Sequence, residues 1–531
     1  MGQRNDDEIL DRLLLKHQLG RRDLLKRSMI AGAGALGASW LAGRSKSAFA
    51  AAPKKGGNLR VAMLGGSSSD TLDAHVGVVP PDFCRNALLY NGLVQLDNDA
   101  KLVNALAESL EPNATATEWT VRLRKNAKFH NGKSVTAADV AFTFNRIGSP
   151  DKPLFGAGTL ARVDLKNMKA LDDRTLRIPM NAPFATFPEA IAPIYFFAIV
   201  PADYDPAKPV GTGPFKFESF TPGQQSVFTR FDDYWEDGLP YLDSVTVIDS
   251  FANDTAAFNA LQGGEVDAFA FAPLALAKQV TEGGPIQALV SKPGQWTPFT
   301  MRVDQAPFDD VNVRQAFRLL VDRKQMINLA LSGYGAIGND VFSQWDPCYD
   351  KSLLRDQDID QAKFLLKKAG KENLEVELVT SDFAAGVLLA AQVFAQQATK
   401  AGVKVNVRQV TGDIFYGDQY LKWPFAQDFW NYNPYLSQVA QGYQAGAAYN
   451  ETHWDDANYN KLYNEALATI DDGKRCEIIK QMQKIDFEQG GYIIWSYNQS
   501  IDLLTENVQG LGQSATGFSM GNYGFNKAWL A

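Results

Sequence analysis

The sequence predicts an α/β protein of two lobes, the first of them elaborated. Three observations carry this. Alternating strand patterns are interleaved with helical ones, as in layered α/β domains. One strand–helix–strand run covers residues 243–271 and a second covers 374–407, far apart in the chain. And 531 residues are enough for about three folding units.

The elements follow in order. Asn58–Met63 alternates and reads as the first strand, followed by the loop Gly65–Asp70 (GGSSSD). Residues 82–96 read as a helix and then an extended stretch, with a turn at Asn91-Gly92. Trp119–Arg124 alternates strictly, as a half-buried strand does. Asn131-Gly132 is a hairpin signal. Thr136 with Asp139 three residues on forms a capping box, so a helix starts there with Val140, Phe142 and Phe144 on its apolar face. Residues 150–215 are rich in proline and short apolar runs, which predicts loops and short strands. Asp243–Asp249 is a strand, Thr255–Leu261 a helix stopped by Gly263-Gly264, and Val266–Phe271 a strand. Val311–Leu331 reads as one long helix and Asp360–Ala369 as another. Leu374–Val379, residues 383–400 and Val403–Val407 form the second strand–helix–strand unit. Residues 457–489 are helical, and Tyr492–Trp495 is extended again.

The N-terminus differs from the rest. Arg21-Arg22-Asp23-Leu24-Leu25-Lys26-Arg27 is basic, Met29–Gly43 is mildly apolar, and Ala48-Phe49-Ala50 has the small-x-small pattern of a cleavage site. Together they describe an export leader over residues 1–50, and the paired arginines resemble a twin-arginine signal. Gly20 and Leu24 depart from the commonest residues of such leaders. The match of Gly32–Gly37 to G-x-G-x-x-G falls inside this segment, where no strand precedes it to build a phosphate cradle. Removing the leader leaves a chain of net charge about -12, which argues against nucleic acid as a partner. In an exported protein, two of Cys84, Cys348 and Cys476 can pair; their spacing does not say which.

Signatures of catalysis and metal binding are scarce. There is no H-E-x-x-H, G-x-S-x-G or phosphate-loop motif, and residues 51–531 hold three histidines far apart: His75, His130 and His453. No metal or other cofactor is expected. Aromatic residues crowd the last third instead. Over residues 423–435 they are interleaved with Gln427, Asn431 and Asn433. Rings offer apolar faces and amides offer uncharged donors and acceptors, a combination suited to flat, polar ligands.

The ordered set of motifs resembles the family 5 extracellular solute-binding proteins, the dipeptide-, oligopeptide- and opine-type receptors of ABC importers. It runs through Ala105–Leu110, Trp119–Lys133, Thr136–Val140, Val210–Phe215, Tyr234-Trp235, Val313–Phe317, Gly446–Thr452 and Gly490–Ile494. The resemblance implies a two-lobed periplasmic binding protein fold, with a split first lobe and a hinge of two crossing strands. It places lobe I at 51–293, lobe II at 294–496 and a returning C-terminal segment at 497–531. It implies a monomeric periplasmic receptor that closes on a small polar solute, peptide or peptide-like, and delivers it to the permease subunits. An opine or oligosaccharide is the alternative ligand. A secreted hydrolase on the same fold is the alternative function.

Peptide receptors of the family hold the ligand's amine with an aspartate three residues after a tryptophan. The matching stretch here is Trp430–Asn433, and Asn433 stands at the acidic position. That disfavours a free amine, unless Asp428, just before the tryptophan, takes the role. Trp296, Trp495, Asn339, Asp340 and His75 complete the candidate set. His75 lies in a Leu-Asp-Ala-His stretch where the family usually has proline at Ala74.

Overall fold

The computed structural model describes residues 52–531, apart from Val78 and residues 281–283. The leader read over residues 1–50 lies outside the described residues, and Pro53–Ala531 forms one contact unit.

Two mixed sheets organise this unit. The larger has seven strands in the spatial order Ile286–Val290, Ile501–Thr505, Ala268–Phe269, Asn58–Ala62, Ser244–Ile248, Gln225–Arg230 and Phe215–Thr221. Its centre is parallel: Asn58–Ala62 lies between Ser244–Ile248 and Ala268–Phe269. The second sheet has five strands, ordered Lys404–Gln409, Glu375–Thr380, Phe425–Gln427, Phe299–Met301 and Tyr492–Ile493. Its parallel pair, Glu375–Thr380 with Lys404–Gln409, is joined by the helix Val387–Thr399, which is the β-α-β unit read from the sequence. Each sheet has its own apolar core, one around Leu59, Val61 and Phe228, the other around Phe299, Phe317 and Phe394. The chain passes from the first sheet to the second over residues 291–298 and returns over 494–500.

The elaboration of the first half is a four-stranded antiparallel sheet, ordered Ala107–Pro112, Glu118–Leu123, Thr175–Pro179 and Lys169–Asp172. Thr136 caps the helix Ala137–Ile147 beside it through the capping box with Asp139. Gly132, at φ +83°, turns the predicted hairpin. Its core does not stop at its own edge. Phe144, Phe187 and Leu160 belong to the same apolar cluster as Tyr435, Tyr459 and Met482, and the Ala185 amide donates to the Leu467 carbonyl at 2.6 Å.

Two helices differ from the reading of the sequence, and the strand read over Val266–Phe271 is limited to Ala268–Phe269. The long helix expected over Val311–Leu331 is two helices, Val311–Leu319 and Arg323–Ala330. Asp322 breaks it: its carboxylate accepts from the Gln325 amide as an N-cap, and its own amide donates to Gln397. The helix expected from residue 383 starts at Val387, because Gly386 sits in the left-handed region at φ +77°, with a carbonyl where a Cβ would be. The structure also settles the cysteines. Cys348 and Cys476 pair, and Cys84 is free and buried.

Candidate functional site

The segment from Gln427 to Asn433 links the two halves. Phe425–Gln427 is a strand of the five-stranded sheet, paired with Phe299–Met301. The chain then runs on as an extended ribbon, with Trp430 and Trp296 exchanging backbone hydrogen bonds at 2.9 Å. At its far end the Tyr432 amide donates to the Thr516 carbonyl, on the C-terminal stretch that packs with the seven-stranded sheet.

Beside that end lies a cavity of about 590 Å³. Tyr432 and Asn433 line it from one half, and Phe83, Tyr195 and Phe518 from the other. Those three rings form an aromatic wall with centroids 4.8 to 6.0 Å apart. Asn98, Asn104 and Asn522 supply amides around it. One wall is a left-handed turn: Met520, Gly521, Asn522 and Tyr523 all have φ between 50° and 62°. For side-chain-bearing residues this costs roughly 1–2 kcal/mol each, so it persists only where neighbours enforce it. Asn522 donates to the Leu96 carbonyl and accepts from Thr516, Tyr523 donates to the Pro80 carbonyl, and the Met520 amide donates to the buried Asp502. Burial pushes the Asp502 carboxyl up to about 6, against the hydrogen bonds it accepts.

At the other end of the segment, Phe429 and Tyr416 are each 38% exposed. Phe383 lies between them, 5.8 Å from the first ring and 6.0 Å from the second. These rings form an open aromatic shelf. Beneath it Asp428 is buried, accepting from the Tyr416 hydroxyl and the Phe429 amide at 2.8 Å.

The candidates from the sequence distribute unevenly over this region. Asn433 faces the cavity, its amide donating to Gln438. Asp428 and Trp430 lie on the same segment, and the Trp430 indole N–H is buried without a partner. Trp296 is 2% exposed and sandwiched between Phe342 and Trp430, so it supports the segment from behind. Trp495, Asp340, Asn339 and His75 are engaged by the fold, away from the lining of that cavity. Trp495 is fully buried in the core of the five-stranded sheet and donates to the Thr297 carbonyl. Asp340 is held by Arg323 and Arg355 and accepts from the Ile494 amide. Asn339 accepts from the Arg355 amide. His75 is enclosed between the Ala198 carbonyl and Arg146, and burial lowers its ring to about 4, so it stays neutral. Phe83, Tyr195, Phe383, Tyr416 and the left-handed turn carry no local signal in the sequence. They come from distant parts of the chain and meet only in the fold. Among the described residues no cluster of His, Cys, Asp or Glu is arranged to hold a metal ion.

Residues 101–461 match the model of the bacterial extracellular solute-binding proteins, family 5. The chain belongs to this family. The glutathione-binding protein GsiB of Pectobacterium atrosepticum is 33% identical over 337 residues, 60% of this chain and 63% of that protein. Heme-binding protein A of Haemophilus influenzae is 28% identical over 479 residues, 81% of this chain and 85% of that protein. Among solved structures, the PBP AgaA of A. tumefaciens R10 in complex with agropinic acid superposes with a TM-score of 0.75 at 25% identity, covering 90% of this chain and 99% of that one. The fold is the two-lobed one of periplasmic binding proteins, and the function is that of an extracellular solute-binding protein. Among the described residues, no helix of this solute-binding protein is long and apolar enough to cross a membrane.

Proposed function

We propose that this receptor is exported to the periplasm as a monomer and captures a peptide or peptide-like solute in the 590 Å³ cavity and along the adjoining shelf. It then hands the solute intact to the permease, and no bond in the solute is broken. The observation that carries this reading is the cavity's double lining, Tyr432 and Asn433 on one side and Phe83, Tyr195 and Phe518 on the other. A solute touching both linings is bound fully only when the halves are together, so it shifts the population towards closure. The hinge would be the two crossings at residues 291–298 and 494–500, dividing lobe I at 51–293 and 497–531 from lobe II at 294–496. The volume suits a small molecule of several rings or residues. Glutathione, named in the relative of 33% identity, fits the peptide-like class. Asn433, uncharged where peptide receptors carry an acid, favours a second reading: an opine such as the agropinic acid bound by AgaA.

Thermal unfolding with each compound tests both. A true solute at a hundredfold excess over its Kd should stabilise the protein by about 2.7 kcal/mol and be recovered unchanged. No stabilisation by either compound would count against both ligand classes, and a cleaved product would favour a hydrolase.

A further inference from the structure

Two acidic side chains meet below the aromatic shelf with nothing to neutralise them. Asp428 and Glu451 are 3% and 5% exposed, and their carboxyls lie within hydrogen-bonding reach of each other. Among the described residues no ion pair reaches either one; Arg302 and His453, on adjoining stretches of chain, pair with Asp304 instead. The groups that face the pair are hydroxyls and an indole. Tyr416 and Tyr420 come from residues 412–422, Tyr492 donates to Glu451 at 2.5 Å, and Trp430 turns its N–H towards Glu451 without closing a hydrogen bond. One oxygen of each carboxyl, Oδ2 of Asp428 and Oε1 of Glu451, is buried and accepts no hydrogen bond from any N–H or O–H among the described residues. Two buried carboxylates in contact, without a cation, repel strongly and lose their hydration.

We propose that Glu451 is a positioning residue of the solute site: it holds one proton, donated to Asp428, and this shared proton keeps Asp428, Phe429 and Trp430 in place for capture. The proposal rests on the reading above that the segment 427–433 bounds the solute site. Burial pushes both carboxyls up, Glu451 well above the usual range. The folded protein therefore keeps a proton that the unfolded chain releases near pH 4. The contribution to stability is complete below that pH and is lost as pH rises through the folded value. When it is lost, the O–H bond of Glu451 breaks, the proton passes to solvent, and two carboxylates are left face to face under the shelf.

Infrared difference spectra of the solute-free mature protein test the proton directly. Wild type minus Glu451→Gln should show a protonated-carboxyl band at pH 7. In Asp428→Asn the band should persist but move, because the acceptor becomes a neutral amide oxygen. The pH profile of glutathione affinity tests the positioning. Wild-type affinity should fall about tenfold per pH unit beyond the loss of the proton, over and above any change in Glu451→Gln, whose amide donates at every pH. Absence of the band in the difference spectrum, or parallel pH profiles, overturns the proposal. If Glu451→Gln does not fold, an unmoved band in Asp428→Asn overturns it equally. If glutathione does not bind at any pH, its choice as solute fails, while the infrared band still decides on the proton.

Discussion

Replacing Arg85 with methionine will destabilise the protein by about 3–5 kcal/mol, the loss expected when one partner leaves a buried ion cluster. Arg85 is 1% exposed and binds three carboxylates at once: Asp70 at 2.9 Å, Asp82 at 3.0 Å, and Asp249. Its Nε donates to Ser226 on the seven-stranded sheet. Methionine fills much of the volume but leaves the carboxylates with no cation. Arg85 lies on the helix Pro80–Leu89, which also carries Phe83 and Ala87 on the cavity wall, so solute affinity should fall along with stability. Urea unfolding of wild type and variant at pH 7 measures the first effect. A midpoint unchanged within error would mean that the cluster contributes nothing net.

Cys476→Ser is expected to cost up to about 5 kcal/mol. The bond to Cys348 closes a separation of 128 residues, and restricting so long a loop in the unfolded chain accounts for a figure of about that size. The local consequence bears on the site. The bond ties the loop around Asp346 to the helix Asp472–Gln489, and the Asp346 carboxylate accepts from the Tyr435 amide at 2.8 Å. Tyr435 opens the helix that directly follows Asn433. The variant should therefore also bind solute more weakly. Unfolding under oxidising and reducing conditions checks it: wild type should lose stability on reduction, the variant should not. Equal sensitivity of the two would refute the account.

Much of the fold was legible because its signals are local. The capping box at Thr136, the turn at Gly132 and the strand–helix–strand run over 374–407 each rest on a few adjacent residues. The break at Asp322 was hidden, because the apolar spacing on either side of it continues in helical register. The site was legible only in part. The aromatic and amide stretch 423–435 includes Tyr432 and Asn433, which line the cavity. His75, Asp340 and Trp495 drew attention by residue type, yet each is engaged by the fold through partners distant in sequence: Ala198 and Arg146, Arg323 and Arg355, and Thr297. The other wall, Phe83 with Tyr195 and Phe518, is assembled from three stretches more than 100 residues apart, which no short motif can announce. The proton-sharing partner of Asp428 was equally invisible, since Glu451 sits in a motif that marks the family without stating a role.

The most direct test is mass spectrometry of the protein purified from its native cells under non-denaturing conditions. The account predicts one small polar solute per chain, released on unfolding with its covalent structure intact and lost when the cavity is filled by Asn433→Trp. A protein that carries no solute and gains none from a periplasmic extract, or one that returns its ligand cleaved, would contradict it.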